Sequence, residues 1–229
     1  MHIAFSEKHD GADKEVVFIH GFMGSPDQFA QLAKTVYERG CSYTSILLPG
    51  HGVPAKDFLA CTLGEWENHL QSELVKLRDK YPKIYLVGHS MGGLLALNAS
   101  LIRENNIAGV FMISTPLKVS LFGFKSIMAR FRLLSPKNRE IVAVHQKSTS
   151  VSGLSLSALL RLGKPGRQLS ALIRKTKQRL RDVFVPVYMI HSRNDEVVPS
   201  KNSRQMYGGL CNTRRTALMI EKSWHAYFF

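Results

Sequence analysis

Ile84-Tyr85-Leu86-Val87-Gly88-His89-Ser90-Met91-Gly92-Gly93-Leu94-Leu95-Ala96-Leu97 is the stretch from which the rest of the chain can be read. A short apolar run suited to a buried strand meets Gly-x-Ser-x-Gly and continues as an apolar helix pattern. So tight a strand-to-helix turn holds its apex residue in a strained backbone conformation, and glycines two before and two after it avoid clashes. The expected result is a nucleophile elbow that lifts the Ser90 hydroxyl out of a sheet and leaves the Met91 N–H at a helix start, where it would favour an oxyanion. A bare Gly-x-Ser-x-Gly arises by chance in roughly one chain in ten of this size. The strand before it and the small-residue helix after it are the context that makes it informative.

Outward from the elbow, strands and helices alternate. Residues 15–19 read as a buried strand, apolar without a break from Val16 to Ile19, of the kind covered on both faces in parallel sheets, and run into His20-Gly21-Phe22-Met23-Gly24. A helix over 27–38 is closed by Gly40, a strand over 43–48 ends in Pro49-Gly50-His51-Gly52, and Thr62 caps an amphipathic helix reaching about residue 80. The strand after the elbow covers 107–113. The pattern resumes with a strand over 183–190, a helix over 200–207 and a last strand over 215–220. This alternation predicts an α/β fold with a mostly parallel central sheet, helices on both faces and functional loops at the carboxyl ends of the strands.

Between them, residues 117–182 break the pattern. The stretches 117–134 and 169–180 look helical, so an inserted helical cap is expected, dividing the core into residues 1–116 and 183–229. Fifteen Lys and Arg fall between Leu117 and Arg181 against one acid, Glu140, so this stretch carries a net charge equal to the whole chain's +14. Such a surface could simply be solvated, or it could draw in an anionic substrate or an anionic membrane surface. Nucleic acid is disfavoured because the tract lacks interleaved aromatics. No apolar run approaches the ~18 residues of a membrane span, and the first residues lack a basic start followed by an apolar stretch, so a cytoplasmic location is expected. Cys41, Cys61 and Cys211 are odd in number, without metal-type spacing, and read as reduced packing residues.

A serine nucleophile needs a base to take its proton and an acid to orient that base. In sheets of this kind the order is serine, acid, histidine. Of nine histidines, only His225 follows the acid loop. His191 ends a strand and reads as a core or rim residue, and His89 as a neighbour. Asp195 follows a strand, in a loop thirty residues before His225; Glu196 is the local alternative, expected to be solvated, while Asp182 precedes its strand and falls at the wrong end.

With these pieces together the chain resembles the α/β-hydrolase superfamily, and more closely the small bacterial carboxylesterases related to monoacylglycerol lipases. The matching pieces are His20-Gly21-Phe22-Met23-Gly24, Pro49-Gly50-His51-Gly52, Gly88-His89-Ser90-Met91-Gly92-Gly93, Asn194-Asp195-Glu196-Val197-Val198 and His225. The resemblance implies an oxyanion hole from the N–H groups of Phe22 and Met91, and acyl transfer through an ester of Ser90, with no metal or organic cofactor. A small-molecule ester of acyl or monoacylglycerol type is the implied substrate. The same residues would serve an acyl-thioesterase or lysophospholipase, and a catalytically silent binding protein on this scaffold is the reading from another class. The family continues past its histidine into a final helix, whereas this chain has four more residues, so a truncated last helix is expected.

Overall fold

The computed structural model describes residues 2–119, 150, 163–221, 223 and 225. Seven strands form one sheet: β1 (Phe5–Glu7), β2 (Lys14–Ile19), β3 (Ser42–Ile46), β4 (Lys83–His89), β5 (Ile107–Ile113), β6 (Val187–Ser192) and β7 (Arg215–Ile220). Their spatial order is β1-β3-β2-β4-β5-β6-β7, and only β1 runs antiparallel. The helices are α1 (Ala30–Glu38), α2 (Ala55–Ala60), α3 (Leu63–Arg78), α4 (Met91–Ala99), α5 (Gly163–Gln178) and α6 (Lys201–Gly209). The α/β architecture expected from the alternation is therefore present, with β1 and α2 added. β1 is three residues long with one half-buried side chain, too short for a periodic signal.

Period-two alternation along the strands divides the core in two. Val17, Ile19, Leu86, Val110, Met112, Val187 and Met189 point toward the layer that includes α3, α4, α5 and α6. Val16, Phe18, Tyr43, Val87 and Ile113 point the other way, toward α1. Every side chain of α4 is buried, which accounts for its apolar residues on all sides. α3 starts on a capping box: the Thr62 N–H donates to Glu65 Oε2 at 2.7 Å and the Glu65 N–H to Thr62 Oγ1 at 3.3 Å.

Of the expected insertion, the helix over 117–134 from residue 120 onward and, apart from Ser150, the serine-rich middle lie outside the described residues. The remainder, α5, packs into the core layer: Leu169 and Leu172 are buried, and Asn98 of α4 donates to Thr176 Oγ1 at 2.6 Å. Among the described residues the sheet is less covered on the α1 side. Phe111 is 41% exposed, its ring 5.5 Å from that of Tyr188 and tilted by 41°, and both line a cavity of about 420 Å³ with Val87 and Ile190.

The strand order reverses next to β2, since the chain steps from β2 to β3 on one side and returns to β4 on the other. At such a point the loops leaving the two neighbouring strands diverge and open a crevice at their carboxyl ends. The loops in question are residues 20–25 after β2 and the Ser90 turn after β4.

Candidate active site

Ser90 has φ 51° and ψ −115°, a positive-φ conformation that an L-residue holds only under constraint. The constraint is visible on both sides. The Ser90 N–H donates to the Ile113 carbonyl at 2.8 Å, extending the β4–β5 pairing into the turn. A Cβ at Gly88 would lie 2.4 Å from the backbone of Gly92 and Gly93, and one at Gly92 would lie 2.0 Å from the Ile19 carbonyl oxygen. Only glycine lets strand, turn and helix approach this closely.

The acid comes from the turn after β6. Asp195 Oδ1 accepts the N–H groups of Val197 (3.0 Å) and Val198 (2.7 Å), while Oδ2 faces His225 Nδ1 at 2.9 Å. Burial by itself would raise this carboxyl; His225, the Val198 N–H and the Ser114 hydroxyl outweigh it and hold the pKa at about 2. His225 Nε2 lies 3.0 Å from Ser90 Oγ. Burial would lower the imidazole's pKa, but the Asp195 charge and hydrogen bond and the Glu196 charge raise it above the ordinary 6.5. Residues 135 apart in sequence thus form one continuous chain, Ser90 to His225 to Asp195.

The Met91 N–H opens α4 and is one of the amides a helix leaves without an internal partner. The Phe22 loop runs against the elbow: a Cβ on Gly21 would come within 3.1 Å of Ser90 Cβ. Two histidines hold that loop. His20 Nε2 accepts the Leu48 N–H at 3.0 Å, and His51 Nε2 accepts the Met23 N–H at 3.2 Å. Burial pushes His20 well below its ordinary pKa and His51 down to about 4, so both are neutral acceptors at pH 7. Their signal was in the sequence, inside the His-Gly and Gly-His-Gly motifs, but no pattern says which loop a histidine ties down.

His191 is 2% exposed, and its Nε2 donates to the Val198 carbonyl at 2.9 Å and lies 3.7 Å from Asp195 Oδ2. Glu196, expected to be solvated, is half-buried and accepts the His225 N–H at 3.0 Å. His89 is buried, with Nε2 2.8 Å from the His225 carbonyl. Ser114, the first residue after β5, has φ 48° and turns its hydroxyl to Asp195. Among the described residues no group of three or more His, Cys, Asp or Glu is placed to hold a metal ion, and no helix is long and apolar enough to cross a membrane.

The family model described as "Serine aminopeptidase, S33" matches residues 10–229. A thermostable monoacylglycerol lipase of Bacillus sp. (strain H-257) is 24% identical over 212 residues, covering 92% of this chain and 82% of that protein. A carboxylesterase of Bacillus subtilis (strain 168) is 20% identical over 221 residues, 94% of this chain and 85% of its own. The crystal structure of Paleococcus ferrophilus monoacylglycerol lipase superimposes with a TM-score of 0.72 at 18% identity, covering 97% and 88% of the two chains.

Proposed function

The chain belongs to the serine aminopeptidase S33 family of α/β-hydrolases, and from that premise we propose that it is a serine carboxylic-ester hydrolase with Ser90 as nucleophile, His225 as base and Asp195 as orienting acid. The observation that carries the reading is the unbroken path Ser90 Oγ to His225 Nε2 (3.0 Å) and His225 Nδ1 to Asp195 Oδ2 (2.9 Å), starting from a serine in a positive-φ turn. The names of the relatives, a monoacylglycerol lipase and a carboxylesterase, favour an oxygen ester over an amide.

In this mechanism His225 Nε2 takes the Ser90 proton as Oγ attacks the ester carbonyl. The negative charge that develops on the carbonyl oxygen meets the N–H groups of Phe22 and Met91, the second reinforced by the dipole of α4. The C–O bond then breaks, and the alcohol departs with the proton from His225. Water, deprotonated by the same imidazole, attacks the acyl-serine and releases the carboxylic acid. Asp195, ionised from about pH 2 upward, keeps Nδ1 protonated and Nε2 turned to the serine. The excess of Lys and Arg between residues 117 and 181 supports a preference for esters that carry a negative charge.

A panel of p-nitrophenyl esters, monoacylglycerols, acyl-thioesters and aminoacyl p-nitroanilides, compared by kcat/KM, tests the substrate class. Labelling by a fluorophosphonate probe tests the nucleophile. Esters should lead the panel, and Ser90→Ala should abolish both labelling and turnover. Faster thioester or anilide cleavage would reassign the substrate, and labelling that survives Ser90→Ala would end the reading.

A further inference from the structure

His225 stands five residues beyond the end of β7, so its ring can be aimed only if the peptide that carries it is held. The described contacts show how. The His225 N–H donates to Glu196 Oε2 at 3.0 Å, and the His225 carbonyl accepts from His89 Nε2 at 2.8 Å. The same acid loop reaches further along the strand exit: Ser192 Oγ donates to the Ser223 carbonyl and Asn194 Nδ2 to the Glu221 carbonyl. Contacts to the ring itself, from Asp195 and Ser90, fix its two nitrogens but not the backbone.

Resting on the proposed triad, we propose that His89 and Glu196 are positioning residues which clamp the two faces of the His225 residue, one at its carbonyl and one at its N–H, and so set the reach from Nε2 to Ser90. The chemistry suits each partner. An N–H needs an acceptor and Glu196 offers a carboxylate; a carbonyl needs a donor and His89 offers Nε2–H. His89 is buried and neutral, its pKa pushed down to about 3 first by burial and then by His225, and the carbonyl that Nε2 faces, which can only accept, selects the tautomer with its proton on Nε2. The clamp also joins two turns that the triad needs in fixed relation, since His89 precedes the nucleophile and Glu196 follows the acid. A displacement of about 1 Å in such a constellation can cost about a hundredfold in rate.

The test uses the full chain and p-nitrophenyl butyrate. His89→Phe keeps the ring and removes the donor; Glu196→Leu removes the acceptor. Each should lower kcat about tenfold or more with KM changed less than about twofold. His89→Gln and Glu196→Gln, which return a donor or an acceptor at similar reach, should restore most of the rate. The double variant should lose less than the product of the two single losses, because both act on one peptide. The pH profile adds a readout that a merely structural role would not move. Among the described residues the titratable groups facing His225 are Asp195, Glu196 and His89, and His89 is uncharged in the range used. A drop in the acid limb of kcat/KM in His89→Phe therefore reports a loosened Asp195–His225 bond. If His89→Phe does not fold, the half-buried Glu196→Leu decides. Full kcat in the folded variants, or losses that multiply, overturns the clamp while leaving the triad intact. Activity that survives Ser90→Ala instead overturns the triad itself.

Discussion

At the scale of single residues, the site depends on two opposed pKa shifts in contact. Asp195 is held at about 2 and His225 is raised above 6.5 because each stabilises the other's charged form against burial. In the proposed triad the base works only when neutral, and a raised pKa means it must be deprotonated at higher pH. The acid limb of kcat/KM is therefore expected to have its midpoint above pH 6.5, with no second limb from Asp195 above about pH 3. A midpoint below the ordinary imidazole value would show that the Asp195 contact is broken in solution. Asp195→Asn keeps the shape but loses the charge and favours the wrong tautomer. It should cut kcat by roughly 10²–10⁴ with little change in the unfolding midpoint. An unchanged rate would move the orienting role to Glu196. These roles were only partly legible in the sequence. Chain order singled out Ser90, Asp195 and His225, whereas His89, Glu196 and Ser114 act through hydrogen bonds to partners 25 or more residues away, which leave no local pattern.

At the scale of elements, the strand-turn-helix unit of β4 and α4 carries the most exacting packing. The Gly92 position sits where a Cβ would fall 2.0 Å from the Ile19 carbonyl of β2, a backbone atom that cannot swing aside. Gly92→Ala should force β2 and α4 apart and cost about 3 kcal/mol, read as a shifted urea midpoint at constant m-value. Gly64→Ala, at a helical position where a Cβ would meet nothing within 4 Å, is the control and should be neutral or slightly stabilising. Equal effects at the two sites would refute the packing argument. Boundaries were the weaker part of the sequence reading. The expected strand over 183–190 is Val187–Ser192, because Asp182 closes a short 3-10 turn and the ladder to β5 begins only at Val187.

At the scale of the whole molecule, the charge of +14 is concentrated by sequence between residues 117 and 181. If that charge draws in anionic esters, hydrolysis of a p-nitrophenyl ester bearing a free carboxylate should slow by about threefold between about 20 and 500 mM NaCl, while a neutral butyrate barely changes. Equal salt dependence would remove the steering idea. The sequence by itself determined the sheet class, the elbow and the three candidate side chains, because strand period, turn glycines and chain order are written locally or in sequence. Only the tertiary structure decided which loops lie together at the β2–β4 reversal, that Glu196 is held against the backbone of His225, and that His20 and His51 secure the Phe22 loop. Those arrangements follow from how seven strands pack into one sheet, and the energy of a contact between distant residues exists only once packing has excluded water from it.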